Sequence, residues 1–177
     1  MTAPILSSTR TPRVLVVGVG ASPLVAELLR FGHHVVAVDI ASAALEALVG
    51  VLGKWAAALA DGQLELVVAD VRSLRLDQSV DVWHDRAVFH FLIEPADRAA
   101  YAEAAAAAVT SGGHLVMATF APDGPTSCSG LAVTRHDAGS LGATFAPHFE
   151  LVESFEVDHV TPWGSTQRFT HALFRRA

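Results

Sequence analysis

Residues 13–40 read RVLVVGVGASPLVAELLRFGHHVVAVDI, and no other stretch of the chain limits its fold as strongly. An apolar run ends in Gly18-Val19-Gly20. Apolar residues then recur at helical spacing through Leu24, Val25, Leu28, Leu29 and Phe31. A second apolar run ends at Asp39. This is the layout of a dinucleotide-type binding site, with a glycine turn between the first strand and its helix. The usual fingerprint would place a third glycine near Pro23, where there is none. The frame alone therefore leaves the nucleotide open.

The alternation continues. Pro23 suits the first turn of the first helix and Gly32 its end. Strands are expected at 13–17, 34–38, 64–69, 80–83 and 114–120. Helices are expected at 22–31, from 42 loosely through Gly50 and Gly53 to Ala60, and at 95–109, where Ser111-Gly112-Gly113 would stop the chain. A Gly- and Pro-rich loop follows at 121–130, then a short helix at 137–145. Two long strands, 149–159 and 168–175, are joined by the turn TPWGST. Strands alternating with helices predict an α/β fold, a parallel sheet covered on both faces, with antiparallel pairing at the edge where the last hairpin joins. Residues 1–12 carry Ser, Thr and Pro and are expected as a flexible leader to a single domain at 13–177.

Composition narrows the partners. The net charge is −6 and Lys54 is the only lysine, which argues against nucleic acid, since phosphate neutralisation needs clustered cations. The chain is 51% hydrophobic, yet no apolar stretch is long enough to span a bilayer. Its N-terminus lacks the basic and apolar pattern of a signal peptide. A single cysteine, Cys128, forms no internal disulfide framework, so a cytoplasmic location is the expectation. The oligomeric state is left open, a homodimer included.

Ligands of an open parallel sheet bind beyond the carboxyl ends of its strands. Gly18, Gly20 and Ser22 occupy the first of these ends, Asp39 and Ile40 the second, and Asp70 and Val71 the third. Asp39, about 20 residues past the glycines, is placed to accept hydrogen bonds from a ribose diol. Asp70 can accept from an exocyclic adenine amine, and Val71 can donate its N–H to a ring nitrogen. Together these residues describe an adenosine site.

At this point a family resemblance becomes visible. The segments VLVVGVGAS (14–22), VVAVDIAS (35–42), VVADVRSL (67–74), VDVWHDRAVFHFL (80–92) and TSGGHLVMATFAPDGP (110–125) resemble those of class I S-adenosylmethionine-dependent methyltransferases, in the same order. TPWGSTQRF (161–169) is similar to small bacterial members, and WHDRAVFHFL to the thiopurine-type and certain lysine methyltransferases. The resemblance implies seven strands in the order 3-2-1-4-5-7-6 with the seventh antiparallel, and S-adenosylmethionine as cofactor. It implies that Gly18 and Gly20 lie under the cofactor, that Asp39 holds its ribose, and that Asp70 and Val71 hold its adenine. Val16 stands where the family commonly has an acid, and Ala87 where those relatives have glycine.

Methyl transfer from a sulfonium is an in-line displacement, and a general base is needed only if the acceptor is protonated. His84, Asp85 and His90 are the candidates to orient or deprotonate it. Arg86, Phe89, Phe120, Cys128 and Trp163 are the candidates to line its pocket. The histidines show neither HxxxH nor HExxH spacing, so no metal is expected. A small molecule is the expected acceptor. The alternatives are a protein lysine, a methyltransferase-derived protein with lost or repurposed activity, and a nicotinamide-dependent oxidoreductase.

Overall fold

The structure, a computed structural model, describes residues 11–20 and 22–177. The expected leader lies, up to Arg10, outside the described residues. Seven strands form one sheet: β1 (Arg13–Val17), β2 (His34–Asp39), β3 (Leu64–Val68), β4 (Val80–Arg86), β5 (Val109–Phe120), β8 (Phe149–Val160) and β9 (Thr166–Arg176). Between β5 and β8 lies a separate two-residue pair, β6 (Ser127–Cys128) and β7 (Leu131–Ala132). The sheet order is β3-β2-β1-β4-β5-β9-β8, the arrangement the sequence led us to expect once the small β6–β7 pair is set aside. β9 runs antiparallel to both neighbours.

Successive strand residues face opposite ways, so the continuous run Val14–Val17 feeds two cores. Val14 and Val16 pack with Val35, Ala37 and Val82 under α1 (Leu24–Arg30) and α2 (Ser42–Leu52). Leu15 and Val17 pack with Val36, Trp83, Leu115 and Met117 under α3 (Pro95–Ala108) and α4 (Ala138–Phe145). Asp137 starts α4 with a reciprocal cap: its carboxylate accepts from Ser140 N at 2.7 Å, and its own N–H donates to Ser140 Oγ. On the α1 face, no helix among the described residues covers β5, β9 and β8.

Three boundaries differ from expectation. α2 stops at Leu52 because Gly53 turns left-handed, φ +56°, and a 3-10 segment carries the chain to Leu59. α3 stops at Ala108, and the glycines expected to end it lie inside β5. A Cβ on Gly113 would sit 2.8 Å from the Asp81 carbonyl oxygen, so only glycine lets β5 pass β4 at the register shift there. β4 runs to Arg86 instead of ending at Trp83. That extension decides which way the next three side chains point.

Candidate active site

A cavity of about 640 Å³ opens between the start of α1 and the ends of β4, β5 and β9. Gly18, Ser22 and Glu27 form one wall, and His84, Arg86 and Ala87 the floor. Phe120, Cys128, His159, Gln167 and Phe169 close the other side. Gly18 has φ +63°, and a Cβ there would strike Val88 Cγ2. The close approach of the β4–α3 loop thus excludes any side chain at this position. Gly20, φ +44°, faces open space and leaves the backbone accessible. Ser22 Oγ accepts from Leu24 N at 3.2 Å and holds the entry to α1.

Alternation along β4 sends His84 and Arg86 into the cavity and Asp85 to the opposite face. Asp85 is 0% exposed. Its carboxylate accepts from Val88 N at 2.9 Å, Phe89 N at 3.1 Å and the Tyr101 hydroxyl at 2.6 Å. Tyr101 accepts in turn from Trp83 Nε1 at 2.8 Å. Burial pushes the Asp85 pKa up to about 6, and these three donors oppose the rise. The expectation that Asp85 would touch the acceptor is therefore corrected. It holds the turn beside the cavity from behind. That turn contains Ala87 at φ +69°, a left-handed conformation that L side chains rarely adopt, at the position where the resemblance has glycine. Ala87 N donates to Ala118 O at 2.8 Å and fixes the turn from the other side.

Phe89 does not line the cavity either. It is buried in the second core, with ring contacts to Tyr101 at 5.0 Å and Phe145 at 5.3 Å. His90 is also fully buried, in the 3-10 turn Phe89–Phe91, against the rings of Phe91 and Phe120. Neither of its ring nitrogens has a hydrogen-bond partner, and the same holds for buried His136. Burial first, and His136 second, lower the His90 pKa to about 4. His84 faces the cavity, and its pKa also falls to about 4, through burial and then the nearby Arg86 charge. It is neutral at physiological pH.

The ends of β2 and β3 form a shallower surface beside the cavity. Asp39 Oδ1 accepts from Ala41 N at 3.0 Å, which leaves Oδ2 without a hydrogen-bond partner among the described residues. Ile40 is largely exposed. Asp70 is engaged more than its expected role implies. It caps the 3-10 turn through Arg72 N at 2.9 Å and pairs with the Arg72 guanidinium, whose side-chain bonds hold its carboxyl below the usual range. Arg72 also reaches Asp97 on α3 at 2.7 Å. Val71 opens that turn, so its N–H has no partner within it. Trp163 is 81% exposed at the tip of the β8–β9 hairpin, outside the cavity lining.

Sequence reasoning missed Glu27, Gln167, Arg72 and Tyr101. Glu27 is the only acid lining the cavity among the described residues, one turn along α1 from Pro23, and Val16 lines the same cavity. Its place could have been read from the helical spacing after Gly20. Gln167 and His159 arrive by the register of the terminal hairpin, which pairs them. Among the described residues, no group of three or more His, Cys, Asp or Glu is disposed to hold a metal ion. No helix there is long and apolar enough to cross a membrane.

A glycine turn at β1, an acid ending β2 and a cavity over the β1–β4 switch define the class I, Rossmann-like architecture of nucleotide-cofactor transferases. Residues 15–117 match the family model of the methyltransferase domain, and the chain belongs to that family. It is a methyltransferase of the S-adenosylmethionine-dependent kind. Solved structures share the fold. The N-methyltransferase NodS from Bradyrhizobium japonicum aligns with TM-score 0.73 at 17% identity, over 97% of this chain and 89% of its own. The 1,6-didemethyltoxoflavin-N1-methyltransferase from Burkholderia thailandensis, solved with its substrate and S-adenosylhomocysteine, aligns with TM-score 0.76 at 21% identity, over 95% and 72%. The glycopeptide N-methyltransferase MtfA, solved with S-adenosylmethionine, aligns with TM-score 0.72 at 12% identity, over 97% and 90%. No curated protein matches the chain by sequence.

Proposed function

We propose that this protein methylates a small-molecule acceptor whose nucleophilic atom already carries a free lone pair at neutral pH. The observation that carries this reading is the cavity. It adjoins the glycine turn and is floored by His84, whose pKa near 4 makes it a poor base. An imidazole that acidic takes no proton from an ammonium group of pKa about 10, so it serves to hydrogen-bond the acceptor. Neither Asp85 nor His90 supplies a base in its place, because both are buried away from the lining.

The residues present fit the cofactor. Gly20 leaves backbone open, Asp39 Oδ2 is free for a ribose hydroxyl, and the Val71 N–H, at the start of its 3-10 turn, has no partner within that turn and is available to an adenine nitrogen. Glu27, whose Oε2 is bridged to Arg30, offers its remaining carboxylate oxygen to the cationic end, the role vacant at Val16. When bound, S-adenosylmethionine supplies an electrophilic methyl group on a sulfonium. The protein's part is to orient the two reactants and exclude water. One methyltransferase that shares the fold is an N1-methyltransferase solved with 1,6-didemethyltoxoflavin bound, and a nitrogen acceptor of that kind suits a cavity walled by Phe120 and Phe169 in which His84 is a poor base.

Isothermal titration calorimetry with S-adenosylhomocysteine and with NADH tests the reading. Micromolar binding of S-adenosylhomocysteine and no NADH binding are expected. NADH binding without a response to the sulfur compound would overturn it. Cofactor binding without turnover across a panel of nitrogen, thiol and phenol acceptors would favour a repurposed protein.

A further inference from the structure

We propose that the methyl acceptor carries an anionic group, a carboxylate or a similar oxyanion on an apolar body, and that Arg86 receives it. This rests on the methyltransferase reading above and names the class of molecule that shares the cavity. Arg86 ends β4, lines the cavity, and has neither a hydrogen bond nor an ion pair to any described residue. Most other arginines among the described residues are taken up, Arg175 excepted. Arg13, Arg30, Arg72 and Arg168 each pair with a carboxylate, and Arg98, Arg135 and Arg176 donate to carbonyls.

The surroundings leave Arg86 unneutralised. The side of the cavity away from α1 presents His84, His159 and Gln167 and no acid. The one acid in the lining, Glu27, sits on the α1 wall and is bridged to Arg30 at 2.8 Å. The field of Arg86 reaches the neighbouring imidazoles, since it helps lower the pKa values of both His84 and His171. The guanidinium lies 5.9 Å from the centre of the Phe169 ring, which is in ring contact with Phe120 at 4.8 Å. Ala87, Ala118 and Cys128 complete this small apolar cluster. A planar guanidinium beside an aromatic wall suits a ligand with a flat apolar body and a carboxylate, because its fork matches the two carboxylate oxygens.

The methionine end of the cofactor also bears a carboxylate, so the test separates the two sources. Calorimetric titrations compare benzoate with its neutral isostere benzamide at low salt, with S-adenosylhomocysteine saturating. They use the wild-type protein, Arg86→Gln and Arg86→Lys. We expect benzoate to bind wild type about tenfold tighter than benzamide, the preference to vanish in Arg86→Gln and to persist in part in Arg86→Lys. Affinity for S-adenosylhomocysteine itself should change less than about twofold in either variant. Benzoate showing no advantage over benzamide on the cofactor-loaded wild type would overturn the inference and leave the methyltransferase reading intact. So would a loss of cofactor affinity in Arg86→Gln with the benzoate preference retained, which would give Arg86 to the cofactor. Failure of wild type to bind S-adenosylhomocysteine would instead break the reading beneath it.

Discussion

The two halves of the sheet end in groups of different kinds. At the ends of β1–β3 the groups on offer are mostly backbone: the left-handed Gly18 and Gly20, the first N–H of the 3-10 turn at Val71, and one free oxygen of Asp39. At the ends of β4, β5, β8 and β9 they are side chains: His84, Arg86, His159, Gln167, Phe120 and Phe169. The first half is covered by α1 and α2, whereas on the same face no helix among the described residues covers β5, β9 and β8. Backbone recognition suits an invariant cofactor, and side-chain recognition suits an acceptor that differs from one enzyme to the next.

The strongest way to break this division is at Gly18, where the halves touch through Val88. Gly18→Val should lower S-adenosylhomocysteine affinity roughly 100-fold or more, because it adds both a collision and a strained φ. Calorimetry reads the loss. Combining Gly18→Ala with Val88→Ala removes the collision but not the strain and should recover only part of it. Full recovery would show that space alone fixes the glycine.

Next in size is the support behind the acceptor half. Asp85→Leu strands the Val88 and Phe89 N–H groups and the Tyr101 hydroxyl, at a cost of about 3 kcal/mol in urea unfolding. Tyr101→Phe unpairs Trp83 Nε1 and leaves Asp85 Oδ2 with Phe89 N as its one donor, and should cost about half as much. Equal costs would mean that the hydroxyl, rather than the turn, carries the network.

The contrast also explains how far the sequence could be read. Strand–helix alternation and the terminal hairpin showed a parallel sheet with an antiparallel edge, because buried parallel strands and helices carry different periods, while the strand order came from the family resemblance. Gly18, Asp39 and Asp70 were legible as strand-end residues, since their place follows from where an apolar run stops. The acceptor half was less so. Its orientation hangs on whether β4 ends at Trp83 or at Arg86, a shift of three residues that decides which side of the sheet Asp85 faces. WHDR carries no apolar alternation to mark that boundary. Gln167 and His159 reach the cavity only through a hairpin register that local sequence does not specify.

Buried imidazoles set the acid sensitivity of the acceptor half. His84, His90 and His136 have folded pKa values of about 4 against 6.5 when free, so the unfolded chain binds more protons anywhere between. Their contribution to stability is complete above pH 6.5 and drains away as the pH falls toward 4. Asp85 acts in the opposite sense. Its folded pKa of about 6 exceeds 3.8, so acidification across that window favours the fold. Three groups against one leave a net loss of stability as the pH falls through that window, steepest between about pH 5 and 6. Urea midpoints from pH 7 to 4.5 measure it, and the triple replacement of these histidines by phenylalanine or glutamine should reverse the slope, leaving the weaker gain on acidification that Asp85 supplies. A flat wild-type curve would mean that their ring nitrogens find partners in solution.

A smaller effect tests the cofactor half alone. Asp39→Asn keeps an oxygen for the Ala41 N–H but replaces the free carboxylate oxygen by a donor. S-adenosylhomocysteine affinity should drop about tenfold while benzoate binding to the loaded protein holds. Loss of both together would couple the halves more tightly than their separate chemistry implies.

The smallest effect sharpens the comparison most finely, because it concerns backbone in the half built from side chains. Ala87 holds φ +69° only because Asp85 grips Val88 and Phe89 on one side and Ala118 O accepts the Ala87 N–H on the other. A left-handed alanine costs about 1 kcal/mol relative to glycine, partly repaid by the lower entropy of the unfolded chain. Ala87→Gly should therefore stabilise by about 0.5 kcal/mol, read from paired urea curves. It also removes a methyl group from the cavity floor, so the benzamide affinity should fall slightly while the benzoate preference set by Arg86 stays. Destabilisation by Ala87→Gly would show that the methyl group's packing outweighs the strain, and that the alanine is part of the pocket's shape and not a tolerated departure from glycine.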